Sequence, residues 1–373
     1  MKNTTADINQ IQNKQTFFQP LVKQGNAPVP ISILDVATTG KGYSASEAIE
    51  TSIKLAKFAD QRGFGRYWVA EHHGMPAVST SSPALFLSRL IGETQNIRLG
   101  SGGMMLPNFP PLVIAEQFGM LQAMASGRID LGIGRAPGTN GLTASALRRG
   151  NISVEDFPEQ LVELLHFLED DFPEGHPYKE HVFAVPGPGQ DRENGIERSF
   201  NAPVVWLLGS SGYSAQLAGK LGLPFAFAAQ LAPENLTIAF DLYRRNFKPS
   251  KVLDRPYTIA SFAVFAADSE DEARTQTRSF SHSMLRMMKG ESYIIPSPEE
   301  LKSYNYSEYE RYVLDSWNQK MIQGTGNQVV SGLNEFQKVS GADELMIANL
   351  GYSPEGILHS AKLIADAYNM PNS

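Results

Sequence analysis

Short apolar segments rich in β-branched and aromatic residues alternate with helical patterns along most of the chain, and this alternation limits the fold more than any other feature. The eight predicted strands cover residues 31–34, 66–71, 97–104, 129–133, 204–208, 224–228, 257–266 and 344–348. Strand–helix alternation implies a parallel sheet covered by helices. Eight units favour an α/β fold of the closed (β/α)8 TIM-barrel type, with a doubly wound open sheet as the alternative.

Two long segments interrupt this alternation. The first, residues 134–202, contains a predicted helix at 154–169 and a short predicted strand at 182–185, and the second, residues 289–325, is rich in Tyr, Ser and Glu. Long irregular segments of compact domains commonly form lids or binding loops, so we predict insertions after strands 4 and 7. Residues 28–373 are predicted to form a single domain, preceded by a flexible N-terminal arm at 1–27.

Composition and charge exclude several functional classes. The 373 residues include no cysteine, which excludes disulfides, cysteine–zinc sites and thiol catalysis. The formal net charge of −7 is spread along the chain without a basic stripe, which argues against nucleic acid and anionic membranes as partners. No apolar run approaches the ~20 residues that a membrane-spanning helix needs, and the arm lacks the apolar core of a signal peptide. These features fit a cytoplasmic enzyme.

The second predicted strand ends on a carboxylate and two imidazoles, in the stretch from Arg66 to His73. Active sites of TIM barrels lie at the C-terminal ends of the strands, so polar residues at this point indicate a candidate site. Neighbouring strand residues point to opposite faces, so His72 shares a face with Trp68 and Ala70 while His73 shares the other with Glu71. This predicts that one imidazole faces a cavity and the other faces packing. Catalysis by His72 and a structural core histidine explain the pattern equally well.

Spacing argues against other kinds of site. Adjacent strand residues such as His72 and His73 cannot easily bind one ion, so no metal is expected. The segment 132–138 resembles a dinucleotide-binding loop, but Pro137 stands where G-x-G-x-x-G requires glycine. The chain also lacks the Gly-x-Ser-x-Gly elbow of many hydrolases.

Residues after two neighbouring strands predict a phosphate site. The turn from Leu208 to Ser214 joins a strand to a helix, and the exposed backbone N–H groups of a helix start bind phosphate. Arg135 follows the adjacent strand, and a guanidinium beside a helix N-terminus clamps a monophosphate strongly. From these residues alone, an ordinary helix cap for the turn and a structural ion pair for Arg135 are open alternatives.

Two adjacent glycines, Gly102 and Gly103, lie inside the third predicted strand. Glycine weakens a strand interior unless the backbone must bend there or a ligand must approach it closely. A flat ring lying against the strand would account for the pair, and so would a simple β-bulge.

Together these segments resemble the bacterial luciferase-like, flavin-dependent monooxygenases, with the closest likeness to the alkanal-monooxygenase-like branch. The resemblance rests on residues 70–73, 100–107, 127–135 and 209–211, which recur in order with compatible spacing, and it runs from about residue 30 to residue 368. It implies a (β/α)8 barrel that binds reduced FMN. In such an enzyme O2 attacks the flavin to give a peroxide, which oxidises a small apolar substrate such as an aldehyde or ketone.

The resemblance also implies roles for individual residues. His72 would be the catalytic histidine, and His73 would be a structural neighbour. The cofactor-binding residues would be Gly102 and Gly103, which match a non-prolyl cis peptide against the flavin ring, and Arg135, Ser211 and Ser214, which would hold the FMN phosphate. Gly134 occupies the position of the reactive cysteine of luciferase, so no thiol-dependent step carries over, and light emission does not follow from these motifs.

The expected partners are the substrate, O2 and a separate NAD(P)H:flavin reductase, because no second nucleotide motif is present, and a homodimer is expected. Two alternatives stay open. One is a relative that uses the deazaflavin F420 as hydride carrier, against which the set of Arg135, Ser211 and Ser214 favours FMN. The other is a flavin-binding protein without turnover, against which the intact His72 argues.

Overall fold

Eight parallel strands close into a barrel in this computed structural model, which describes residues 18–147, 154–197 and 199–372. The barrel strands are β1 Ile31–Asp35, β2 Arg66–Val69, β3 Arg98–Met105, β4 Ile129–Gly134, β5 Val204–Gly209, β6 Phe225–Ala228, β7 Thr258–Ala267 and β9 Glu344–Ala348. Consecutive strands pair from β1 to β7, and β9 pairs with both β7 and β1 to complete the ring. The predicted TIM barrel is therefore confirmed, and the open sheet is excluded.

Helices surround this barrel and also occupy the long connections. Within the described residues they are α1 Ala45–Gln61, α2 Pro83–Ile91, α3 Pro111–Met124, α4 Gly141–Leu147, α5 Phe157–Glu169, α6 Pro188–Glu193, α7 Gly212–Leu221, α8 Leu236–Asn246, α9 Glu270–Met288, α10 Pro298–Lys302, α11 Glu308–Asn318, α12 Gly326–Ser340 and α13 Pro354–Ala367. Helix α1 starts with a capping box. The Ser44 hydroxyl accepts a hydrogen bond from the Glu47 N–H, and the Glu47 carboxylate accepts one from the Ser44 N–H, so two exposed N–H groups at the helix start are satisfied. None of the described helices is long and apolar enough to cross a bilayer.

The first long connection, between β4 and β5, carries α4, α5 and α6. The strand predicted at 182–185 is wrong, because these residues adopt irregular backbone. The apolar run there ends at Pro186, which has no N–H group to donate to a sheet. The predicted helix at 154–169 begins one turn late, since Val154–Asp156 form a 3-10 turn before α5.

The second long connection, between β7 and β9, contains a strand that the sequence did not predict, β8 Ile322–Thr325. Strand β7 is ten residues long, and its outer half, from Val264 to Ala267, pairs in parallel with β8. The same connection reaches the loops after β1 and β2, where Ala77 N–H donates to Tyr293 O at 3.2 Å. This connection therefore lies over the C-terminal end of the barrel.

The N-terminal end of the barrel encloses an ionic network in which Arg66, Asp130 and Glu344 are fully buried. The Arg66 guanidinium contacts Asp130 at 2.6 Å and Glu344 at 3.0 Å, and Arg98 contacts Asp130 at 2.7 Å. Burial by itself raises the pKa of the Asp130 carboxyl, but the charges of Arg66 and Arg98 outweigh it and hold that pKa below its usual range. Trp206 lies over Arg66, with 4.6 Å between the ring centroid and the guanidinium carbon.

The first residues of the described chain lie at this same end of the barrel. Of the arm predicted at 1–27, residues 1–17 lie outside the described part of the chain. Phe18 is buried, with its ring centroid 4.7 Å from that of Tyr257 and 5.7 Å from that of Trp206. Phe18 therefore packs against the barrel.

Candidate functional site

The candidate site lies at the C-terminal ends of β1 to β5, where polar residues follow the strands. Strand β2 ends at Val69, two residues earlier than predicted, but the backbone continues along its neighbours: Ala70 N–H donates to Asp35 O at 2.9 Å, and Glu71 N–H donates to Gly103 O at 3.2 Å. These bonds place Glu71 beside the end of β3.

An open cleft of about 460 Å³ lies between the loops that follow β1 and β2. The two loops pair with each other, since Thr39 N–H donates to Ala77 O at 2.9 Å and the Thr39 and Ser79 hydroxyls lie 2.6 Å apart. The lining residues are Thr39, Tyr43, Ala45, His72, His73, Gly74, Met75, Pro76, Val78, Ser79 and Ser81. Among these described residues none is an acid, a lysine or an arginine, so the cleft suits a neutral ligand.

Both imidazoles line this one cleft, which corrects the prediction that one of the two faces packing. The prediction assumed strand alternation through the two histidines, whereas the strand has already ended at Val69. The main chain of His73 is instead bound by the loop after β4: its N–H lies 3.4 Å from Gly138 O, and its carbonyl accepts a 2.6 Å hydrogen bond from the Thr139 hydroxyl.

His72 lies with ring atom Nδ1 3.3 Å from Gly138 O. A carbonyl oxygen can only accept, so this contact assigns the proton of the neutral ring to Nδ1 and leaves Nε2 as an acceptor. Burial lowers the pKa of His72, and the neighbouring His73 acts in the same direction, so the ring is uncharged at neutral pH. A side chain at Gly138 (φ +66°) would meet the Glu71 carbonyl oxygen at 2.8 Å, which explains the glycine at this close approach.

Glu71 is fully buried and accepts three hydrogen bonds, each of 2.8 Å. The donors are the backbone N–H of Met105, the side-chain amide of Asn108 and ring atom Nε2 of His73. Burial raises the pKa of the Glu71 carboxyl, while these donors favour its charged form and limit the rise. The carboxylate thus joins the end of β3 to the wall of the cleft.

The two glycines of β3 coincide with a distortion of the strand. The Gly102–Gly103 peptide is cis, and the register with β4 shifts between Gly102 and Met104, so the alternative of a β-bulge is present. A side chain at Gly103 would lie 2.9 Å from the carbonyl oxygen of Gly132. Neighbouring side chains fill the space beside two of these glycines: a Cβ atom at Gly102 would meet Leu34 and Trp68, and one at Gly134 would meet Met105 Sδ at 2.7 Å.

Arg135 and the N-terminus of α7 come together because β4 and β5 are neighbours in the barrel. The Arg135 guanidinium lies over the Tyr213 ring, 4.3 Å from its centroid. Ser211 precedes α7 in extended conformation (φ −144°, ψ 169°) and its side chain does not cap the helix, while Ser214 is buried in the first turn. Arg135 forms no ion pair with any residue in the described part of the chain.

Several contributors to the site were not identified from the sequence. Tyr213 lies within the predicted turn, but only the fold shows that it meets Arg135. Asn108 and the loop carrying Thr39 and Tyr43 follow no recognisable pattern. Trp206 lies in the barrel core, where it contacts Trp68 with ring centroids 5.2 Å apart.

The sequence is similar to that of named monooxygenases. A model of the luciferase-like monooxygenase family matches residues 29–344. A protein of Escherichia coli strain K12 called luciferase-like monooxygenase is 40% identical over 339 residues, which cover 91% of this chain and 96% of that protein. The N-acetyl-S-alkylcysteine monooxygenase of Bacillus subtilis strain 168 is 35% identical over 314 residues, covering 83% of this chain and 89% of that protein.

Solved structures show the same fold. The crystal structure of apo-MsnO8 superposes with a TM-score of 0.80 at 29% identity, covering 92% of this chain and 99% of that one. The oxygenating constituent of 3,6-diketocamphane monooxygenase from Pseudomonas putida, in complex with FMN, gives 0.63 at 20% identity, covering 91% and 98%. An F420-dependent secondary alcohol dehydrogenase gives 0.60 at 17% identity, covering 91% and 99%. At these two lower identities the likeness concerns the fold alone.

Proposed function

This chain belongs to the luciferase-like monooxygenase family, and we propose that it uses reduced FMN and O2 to oxidise a small, largely apolar organic substrate. The observation that carries the cofactor assignment is the position of Arg135 beside the N-terminus of α7. A guanidinium next to the uncapped N–H groups of a helix suits a phosphate monoester, and FMN carries such a group.

The residues around α7 fit a phosphate. The Ser211 hydroxyl is not used for capping, so it and the N–H groups of the first turn are available to an anion. Stacking on Tyr213 holds the Arg135 side chain while leaving its N–H groups free to donate. We propose that Arg135, Ser211 and Ser214 hold the FMN phosphate.

The glycine pair of β3 is the proposed contact for a flat ring system. Gly102 and Gly103 carry no side chain of their own, and the strand bends there, where its register with β4 shifts. When bound there, reduced FMN would supply the electrons that activate O2, and the peroxide route implied by the family resemblance stays part of this proposal.

His72 is proposed as the catalytic histidine. Its Nδ1 is committed to Gly138 O, so Nε2 is the nitrogen that can accept a proton within the cleft. Because burial lowers its pKa, the ring is ready to act as a base at neutral pH without first losing a proton.

A titration of the purified protein distinguishes the two cofactors. The fold alone does not, since an F420-dependent enzyme shares it. We expect FMN to bind, observed by quenching of its fluorescence, and F420 to bind more weakly. Binding of F420 without binding of FMN would contradict the proposal and favour the F420-dependent alternative.

Turnover is tested with NADH, a flavin reductase, FMN and air. Suitable substrates are an alkanal, a methyl ketone and the methyl ester of an N-acetyl-S-alkylcysteine, which is neutral and carries an amide N–H. The last is chosen because a relative is named for the parent acid. We expect an oxygenated product with at least one of them, and no product from the His72→Gln variant although it still binds FMN. A matched control is His359→Gln, which removes an exposed imidazole paired with Asp268 at 2.9 Å. FMN binding without O2-dependent product for any substrate would favour the flavin-binding protein without turnover.

A homodimer in the cytoplasm, supplied by a separate NAD(P)H:flavin reductase, completes the proposal. Support for self-association comes from α2 and α3, which pack side by side and expose Leu85 (73%), Met120 (50%) and Met124 (54%). Exposed apolar side chains on two adjacent helices suit contact with a second copy of the chain. Light scattering should give the mass of two chains for the wild type and of one chain for Leu85→Asp with Met124→Asp.

A further inference from the structure

Glu71 and His73 form a carboxylate–imidazole pair in the wall of the cleft, and the proposed function does not yet use it. Glu71 is fully buried, whereas the His73 side chain keeps 14% of its surface exposed, and His73 lines the cleft. The Oε1–Nε2 contact is 2.8 Å. A buried carboxylate that orients an imidazole toward an open cavity is the arrangement by which enzymes hold a base in one tautomer.

The partners of Glu71 determine that tautomer. The Met105 N–H and the Asn108 amide can only donate where they meet the carboxylate, so both carboxylate oxygens act as acceptors. His73 Nε2 lies 2.8 Å from the oxygen that also accepts from Asn108, so Nε2 carries the ring proton and donates it to that oxygen. In the neutral ring Nδ1 then carries no proton, and it has no hydrogen-bond partner among the described residues.

The two histidines consequently present opposite nitrogens. His72 donates through Nδ1 to Gly138 O and keeps Nε2 as an acceptor, whereas His73 donates through Nε2 to Glu71 and keeps Nδ1. The same loop holds both residues, since the carbonyl of Gly138 receives the His72 ring and the His73 N–H, and Thr139 binds the His73 carbonyl. The cleft therefore has two imidazole acceptors, and none of its described lining residues is an acid, a lysine or an arginine.

We propose that His73 is a second substrate-binding base of this cleft, with Glu71 as its positioning residue, and that the substrate is a neutral molecule with an O–H or N–H donor. This inference rests on the proposed function for the reaction that the base assists. The donor hydrogen binds to Nδ1 of His73. If the proton moves, it passes from the donor atom to Nδ1, the bonding pair stays on the substrate, and the imidazolium is stabilised by the Glu71 carboxylate. A charged substrate group would lie unpaired against this lining.

Nitrogen NMR of the histidine-labelled protein without cofactor tests the positioning role. For the wild type we expect the His73 signals of a ring protonated at Nε2 and bare at Nδ1, assigned by comparison with His73→Gln. In Glu71→Gln only one side-chain oxygen remains for two obligate donors. The backbone N–H of Met105 is fixed by the strand and keeps the remaining oxygen at the Oε2 position. The amide group then takes the Oε1 position facing His73, so the ring proton should move to Nδ1. A wild-type ring protonated at Nδ1, or a tautomer unchanged in Glu71→Gln, would overturn the role of Glu71.

A pair of probes tests the substrate class. Decanamide and N,N-dimethyldecanamide differ in their N–H donors, and binding is followed by the ring signals of His72, which lines the same cleft and is present in every variant compared. We expect decanamide to bind the wild type roughly three- to tenfold more tightly, the scale of one neutral hydrogen bond. Equal affinities, or binding of neither probe, would overturn the substrate class.

Two variants separate substrate contact from structural support. His73→Gln can keep an amide near the Nε2 position for Glu71 but removes the Nδ1 acceptor, so the preference for decanamide should disappear. The surface variant His359→Gln should keep it. A preference retained in His73→Gln means that His73 only supports the fold. None of these measurements needs FMN or turnover, so a failed oxygenation assay would count against the proposed function alone.

Discussion

Arg135 is the side chain on which the phosphate site depends most directly. We expect Arg135→Ala to weaken FMN binding by about 1.5–3 kcal/mol, the scale of a hydrogen bond to a charged group, or roughly 10- to 150-fold in the dissociation constant. Isothermal titration calorimetry measures it. A matched control is Arg245→Ala, which removes an exposed arginine of α8 that pairs only with Asp241 at 3.4 Å. An unchanged affinity in Arg135→Ala would remove this residue from the phosphate site.

His72 also makes the stability of the protein depend on pH. Burial lowers its pKa in the folded state below the ordinary value of about 6.5. The unfolded chain therefore binds more protons near pH 6, so the free energy of unfolding falls as pH drops through about 6.5, until the folded-state pKa is passed. Urea unfolding at pH 5, 6 and 8 should show a smaller loss for His72→Gln than for the wild type. Equal losses in both proteins would mean that the ring is not held neutral.

Single residues show where sequence reasoning reaches its limit. The placement of Arg135 beside the start of α7 followed from strand order, because neighbouring parallel strands deliver their ends to the same edge. The orientation of His73 did not follow. It depends on Glu71, whose other partners, Met105 and Asn108, are more than thirty residues away in sequence. Contacts of that kind arise only when the whole barrel is assembled.

Strands β3 and β4 depend on glycine where their backbones approach each other. A Cβ atom at Gly132 would lie 2.1 Å from the carbonyl oxygen of Ser101, and backbone cannot move aside as a flexible side chain can. We expect Gly132→Ala to lower the free energy of unfolding by about 3 kcal/mol, at the upper end of the overpacking range, in urea titrations. Gly141→Ala is the control, because a Cβ atom there meets nothing within 4 Å. Similar stability of both variants would show that the two strands can separate without cost.

At the level of elements, local chemistry predicted most helices and barrel strands. Helix α1 begins after Ser44, whose side chain caps it, and α13 begins at Pro354, a residue type suited to the first turn. Strand β8 was missed because its four residues pair only with the outer half of β7, and nothing in its own short sequence signals that partner. The predicted strand at 182–185 failed for the opposite reason, since a locally suitable apolar run has no edge to join.

At the scale of the whole molecule, an ionic network stabilises the N-terminal end of the barrel. It consists of Arg66, Asp130, Glu344 and Arg98. Arg66→Met would leave two buried carboxylates with too few positive charges, so we expect a loss of about 3–5 kcal/mol in the free energy of unfolding. Chemical denaturation followed by tryptophan fluorescence measures it, since Trp206 lies on Arg66. Arg274→Met, which breaks only exposed ion pairs of α9, should change stability by less than about 1 kcal/mol.

This network also marks the boundary of prediction for the whole molecule. The alternation of strands and helices was sufficient to predict the barrel, because few architectures accommodate eight such units. Nothing in this alternation indicated that charged side chains would fill the N-terminal end of the barrel. Arg66, Asp130 and Glu344 stand at the starts of three strands separated by long stretches of sequence, and only the strand order β4–β3–β2–β1–β9 brings them together.

Closure of the ring between β1 and β9 has a consequence for how the protein is made. A ribosome completes β1 early, but the strand that covers its open edge, from Glu344 to Ala348, emerges only when almost the entire chain has been translated. Until that moment the nascent polypeptide exposes an unpaired strand edge, and Arg66 lacks one of its two carboxylate partners. A premature stop codon before residue 344 should therefore produce aggregates for proteases and chaperones to remove, not a smaller working enzyme.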